Sequence, residues 1–105
     1  MDNLIQLIEQ WGIDRGIDTV DPSKQMLKVV EEVGEIASAL ARGDADEFID
    51  AVGDTFVTLV MLALTVDLDI KDCVQLAYDE IKDRDGKVVN GVFVKLKDLD
   101  KKEAI

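Results

Sequence analysis

The stretch DADEFIDAVGDTFVTLVMLALTV, Asp44 to Val66, decides the fold. Asp44 is an N-cap residue, and Glu47, three positions on, is its reciprocal partner in a capping box. From Asp46 to Asp54 the pattern is amphipathic at helical spacing, with Asp50 and Asp54 one turn apart on a shared face. From Thr55 to Val66 no charge occurs. A helix that is apolar on every side is buried on every side. In a chain of 105 residues that points to an oligomer interface more than to a large internal core. The uncharged run falls short of the roughly 20 residues that span a bilayer, so no membrane association is expected.

Upstream, Asp21-Pro22 supplies the cap and first-turn proline of another helix, which Gly43 ends. Met26, Val29, Val33, Ile36, Ala37 and Leu40 form its apolar face and leave Glu31 and Glu35 on the other side. An earlier helix runs from about Asn3 to Trp11, with Leu4, Leu7, Ile8 and Trp11 at i, i+3, i+4 and i+7. Gly12 and Gly16 break it. Downstream, Asp69 caps a fourth helix that runs to about Asp83, with Val74, Leu76, Ala77 and Ile81 facing inward. After Gly86 the period changes, and β-branched residues flank Asn90-Gly91, a strong hairpin signal. From Lys97 to Ile105 the chain is charged and reads as a frayed tail. The expected architecture is one domain over residues 1–96, an all-α four-helix bundle with a short C-terminal β-hairpin, followed by the tail 97–105.

Composition excludes several functions. There are 23 acidic against 12 basic residues and a formal charge of −11. Such a chain repels duplex nucleic acid and anionic lipid, and no basic arm offsets this. Histidine is absent, which removes His-based triads and imidazole metal sites. The single cysteine, Cys73, forms no internal disulfide and fits a reducing cytoplasm; its helical pattern predicts a buried, inert thiol. Met1-Asp2-Asn3 lacks the features of a signal peptide.

The acids are clustered. Glu31, Glu32 and Glu35 make one carboxylate stripe and Asp50 and Asp54 a second, one helix apart. If the two helices pair, five carboxylates converge and repel one another unless a cation neutralises them. Magnesium takes oxygen ligands of this kind and leaves positions open for a polyphosphate. Glu31 or Glu32, Glu35 and Asp54 can supply them, with a spare carboxylate to orient a water. The plainer alternative is two solvated acidic helix faces. Gly34 and Gly53 each cost about 1 kcal/mol against alanine inside a helix, and close helix–helix approach beside the carboxylates would account for them. Lys82, Arg84 and Lys87 cluster at a helix C-terminus and are candidate phosphate contacts; macrodipole complementarity accounts for them as well. Trp11 reads as a core residue or as a base-stacking platform, and Asn90 as a turn former or a ligand contact.

The segment KVVEEVGEIA, Lys28 to Ala37, followed by DAVGD, Asp50 to Asp54, resembles the MazG-type nucleoside triphosphate pyrophosphohydrolases. KDRDGKVVNGVFVK, Lys82 to Lys95, resembles the ending of small MazG-like proteins common in phages and their Gram-positive hosts. The resemblance implies a helical fold whose carboxylates hold magnesium, with manganese as a substitute. It also implies hydrolysis of an NTP or dNTP to the monophosphate and pyrophosphate by homodimers or tetramers. Glu31, Glu32 and Glu35 match the family's first acidic motif and Asp54 the last aspartate of its second. The glutamate of that second motif falls at Ala51, a departure that Asp50, one turn from Asp54, is placed to compensate. Two rivals follow: a nucleotide-binding or regulatory homologue with weakened catalysis, favoured by Ala51, and an acidic protein-interaction module.

Overall fold

A computed structural model describes residues 2–103, with side-chain surroundings described through residue 99. The elements are α1 (Asp2–Asp14), a 3-10 turn (Ile17–Thr19), α2 (Pro22–Arg42), α3 (Ala45–Thr65), α4 (Ile70–Ile81), β1 (Gly86–Val89), β2 (Val92–Lys95) and α5 (Leu96–Glu103). The chain is therefore mostly helical, with four long helices and one short two-stranded sheet. It divides into two compact units, Met1–Asp72 and Cys73–Ile105.

In the first unit α2 and α3 form a long helical hairpin. Its start is set by the Asp21 side chain, which accepts from the Ser23 amide at 2.9 Å, with Pro22 behind it. Its turn is set by Gly43, whose φ of 69° lies in the left-handed region. Asp44 then accepts from the Glu47 amide at 3.1 Å, while its own amide donates to the Ala39 carbonyl. Asp44 thus caps α3, but its amide is taken by α2, so the reciprocal half of the capping box is replaced by a bond across the turn.

The core of this unit lies around the second half of α3. Val60 and Met61 pack with Ala63, Ile5 of α1 and Ile70, and Ile8, Ile17, Phe56, Val57 and Leu64 close around them. The chain's own α1 and 3-10 turn supply cover for this part of α3. Only Leu59 and Val66 of the uncharged run are exposed. α3 extends over 21 residues with a mean hydropathy of 1.7 in its most apolar window, so by length and composition alone it is long enough to cross a membrane. Buried core helices share that property.

Gly12 does not break α1, which continues to Asp14. The residue is buried, and a β-carbon there would overlap Met61 Sδ and lie 2.8 Å from Met61 Cε. This is where α1 and α3 approach closely. Gly16, at φ 74°, ends the helix as expected.

In the second unit β1 and β2 pair antiparallel, with Val88 opposite Phe93 and Val89 opposite Val92. Asn90 and Gly91, at φ 53° and 80°, make the two-residue turn that the sequence announces. Residues 96–103 form a helix that packs on both strands and buries Leu99, where a frayed tail was expected. Val74, Leu76, Ala77 and Ile81 of α4 are exposed rather than inward-facing, and Cys73 is exposed rather than buried.

Candidate functional site

The site starts from which face of α2 meets α3. Gln25, Val29 and Ala39 are buried and Glu32 and Ile36 half-buried. These positions recur in steps of four and three, one unbroken seam of a helix against its partner. The sequence places Met26, Val29, Val33, Ile36, Ala37 and Leu40 on this face; Val29 and Ile36 do lie on the seam, whereas Met26, Val33, Ala37 and Leu40 are exposed. Gln25, Glu32 and Ala39, each one residue earlier and about 100° around the helix, take the places of Met26, Val33 and Leu40. α2 thus turns its more apolar stripe outward and brings Glu32 inward.

That rotation gives Glu32 an unusual environment. Its Oε2 is shut off from solvent and has no hydrogen-bond partner. Burial first, then the Glu35 charge, hold the Glu32 carboxyl above its ordinary range. The closeness of the Glu35 carboxyl and the charges of Asp54 and Glu31 act in the same direction. Three of the acids marked in the sequence thus press on the fourth. Asp50 is exposed and is not among the groups acting on Glu32.

Glu31, Glu35 and Asp54 are themselves exposed, and Glu31 makes a loose ion pair with Lys28 at 3.9 Å. Among the described residues no three acidic groups close on one point in the geometry of a metal site. The donor set nevertheless fits a hard divalent cation: four carboxylates on facing helices, one with an oxygen that lacks any partner. Holding an ion requires the three exposed side chains to turn toward Glu32. Gly34 and Gly53 leave room around this cluster rather than tight approach, since nothing lies within 4 Å of a β-carbon at either. Ala51, one turn before Thr55 on α3, is completely buried.

Beside the cluster is an apolar pocket of about 440 Å³, lined by Leu7, Ile8, Trp11, Val57 and Asp54. Trp11 is exposed rather than sealed in the core. The Arg15 guanidinium lies over its ring, 4.4 Å from the centroid. Lys82, Arg84, Lys87 and Asn90 belong to the second unit. There Lys82 pairs with Asp79 at 3.4 Å, Arg84 borders a cleft with Glu80, Asp83, Asp85, Lys95 and Lys97, Lys87 lies in β1 and Asn90 makes the hairpin turn.

Two residues escaped the sequence reading. Gln25 is buried, and its Nε2 donates to the Thr58 carbonyl at 3.2 Å. Among the described residues this is the one side-chain hydrogen bond joining positions more than four apart. Its sequence signal was the seven-residue interval to Glu32, which places both on one stripe. Arg15, four residues after Trp11, was the other.

A family model described as the MazG nucleotide pyrophosphohydrolase domain matches residues 21–89. That span takes in α2, α3, α4 and β1. The chain is also 42% identical, over 64 residues, to an uncharacterized 18.2 kDa protein of the rep-hol intergenic region of Haemophilus phage HP1. The alignment covers 60% of this chain and 39% of that phage protein, so the chain spans well under half of its relative's length. No solved structure matches.

Proposed function

The chain belongs to the MazG nucleotide pyrophosphohydrolase domain family, and from that premise we propose that it hydrolyses nucleoside or deoxynucleoside triphosphates to the monophosphate and pyrophosphate. Glu32 carries the reading. A half-buried carboxylate with an unpartnered oxygen, pressed by Glu31, Glu35 and Asp54, is costly to retain for stability alone. The four acids would hold magnesium, or manganese in its place. When bound, the cation offsets the polyphosphate charge and makes water more acidic. Asp50 or one of the glutamates orients the water, which adds at phosphorus as the α,β phosphoanhydride bond breaks.

The pocket beside Asp54 suits a flat base, with Trp11 as its stacking wall. The exposed stripe of Met26, Val33 and Leu40 supports assembly into a homodimer or tetramer. A cytoplasmic setting suits the single cysteine.

The test is incubation with each NTP and dNTP, in magnesium or in chelator, with separation of products. Magnesium-dependent monophosphate and pyrophosphate are expected, and Glu35→Gln removes them while leaving the fold intact. Full activity in that variant refutes the role of Glu35. A second reading rests on Ala51, whose buried methyl stands where the family carries a glutamate. It expects magnesium-dependent nucleotide binding without turnover.

A further inference from the structure

Arg15 is joined to this site through Trp11, whose ring its guanidinium covers. Among the other cations of the first unit, Lys28 is drawn to Glu31 and Lys71 to Asp69, Arg42 donates to the Ser38 carbonyl of its own helix, and Lys24 is an exposed surface lysine of α2. Arg15 makes no ion pair among the described residues. Its Nη1 donates to the Trp11 carbonyl at 3.0 Å and its guanidinium lies on the Trp11 ring. That ring is a wall of the pocket that Asp54 borders. Arg15 does not itself line that pocket; the stack on Trp11 ties it there, and its remaining N–H donors have no partner among the described residues.

We infer that Arg15 is a substrate-binding residue, which takes the phosphate oxygens of a nucleotide whose base enters the Leu7, Ile8, Trp11 and Val57 pocket. The inference rests on the proposed nucleotide hydrolysis and deepens it. In a chain of charge −11, a triphosphate approaching four carboxylates needs a fixed positive group near them. A planar guanidinium, already ordered by stacking, loses little freedom on binding and offers paired donors that match phosphate oxygens. Free lysines at the surface lack both properties. The same stack holds Trp11 in place, so one side chain links base recognition to phosphate recognition.

Trp11 is the only tryptophan, so its emission reports on the pocket directly. A nucleoside triphosphate with a non-cleavable α,β-methylene bridge is titrated into wild type, Arg15→Gln and Arg15→Lys, with magnesium present. Calorimetry runs in parallel, so that altered Trp11 emission is not mistaken for altered binding. The corresponding free nucleoside is the control. Arg15→Gln is expected to weaken the analogue about tenfold or more and the nucleoside less than about twofold, with lysine intermediate. In turnover, KM rises by a similar factor while kcat changes little. Equal affinity for the analogue in wild type and Arg15→Gln overturns the inference. So does an equal loss for analogue and nucleoside, which makes Arg15 a prop for Trp11 alone. If wild type turns over nucleotides and Arg15→Gln retains its KM, only this inference fails. If wild type neither binds nor hydrolyses them, the parent reading fails and takes this one with it.

Discussion

Glu32→Gln should make the protein more stable without magnesium and less stable than wild type with it. An unpartnered buried polar atom costs about 1–3 kcal/mol. Oε2 of Glu32 is such an atom, and the negative groups around it raise the cost of its charge. Glutamine keeps a polar atom at that place, so the gain comes from removing the charge that Glu31, Glu35 and Asp54 repel; the side chain is half-buried, and solvent screening holds that gain to about 1 kcal/mol. For a domain of this size that is a rise in thermal midpoint of about 4–8 °C in chelator. Wild type, by contrast, gains from any ion that binds the folded state alone, by about 2.7 kcal/mol at a hundredfold excess over Kd. The glutamine variant forfeits most of that gain. Thermal unfolding in chelator and in a magnesium series measures both terms, and the two curves of midpoint against magnesium cross. A variant less stable than wild type in chelator refutes the account of Glu32 as a strained acid. Equal stabilisation of both proteins by magnesium refutes its part in holding the ion.

Other outcomes follow from the same geometry. Stability in chelator falls as pH rises above the ordinary glutamate value near 4.5 toward the raised value of Glu32, because over that window the folded state binds more protons than the unfolded; urea titrations across the range detect the slope, and Glu32→Gln flattens it. Gly34→Ala and Gly53→Ala, where a β-carbon meets nothing, each stabilise by about 0.5–1 kcal/mol, whereas Gly12→Ala drives into the buried Met61 and loses that benefit to an overlap of about 1–3 kcal/mol. Denaturant midpoints rank the three, and a stabilised Gly12→Ala would mean the α1–α3 approach is looser than described. Gln25→Ala, which removes the bond to the Thr58 carbonyl, weakens magnesium-induced stabilisation more than it lowers the midpoint in chelator; a loss confined to the chelator midpoint makes Gln25 a packing residue only.

Much of the fold is legible because the elements announce their ends locally. Asp21-Pro22, Gly43, Asp44 and Asn90-Gly91 act on backbone within a few residues of themselves, and each starts, ends or turns its element in the structure, although Asp44 forms only half of its capping box. The face of α2 is less legible, since periodicity alone selects the more apolar stripe. Which stripe turns inward depends on the partner, and α3 presents the completely buried Ala51 and the Thr58 carbonyl. Gly12 was misjudged for a similar reason. A glycine inside a helical pattern reads as a break until a neighbouring helix is seen to need the space. For the site, helical spacing marked Glu31, Glu32, Glu35 and Asp54 as a group. It could not single out Glu32 as the buried member, because that follows from the rotation of α2. Arg15 was hidden for another reason: a lone arginine beyond a helix end carries no pattern until its stack on Trp11 is visible.

The short turn between α2 and α3 has a consequence for how the chain reaches its folded state. Every acid of the cluster lies on this hairpin, between positions 31 and 54, so bringing the acids together requires closing only a small loop. Local helical contacts of this kind form early. Mutual repulsion is then met at the start of folding rather than at its end, in an element that has little else yet built around it. A divalent cation that relieves the repulsion should therefore accelerate refolding as well as slow unfolding. Stopped-flow refolding with and without magnesium would separate this case from one in which the cluster assembles last, where only the unfolding rate responds.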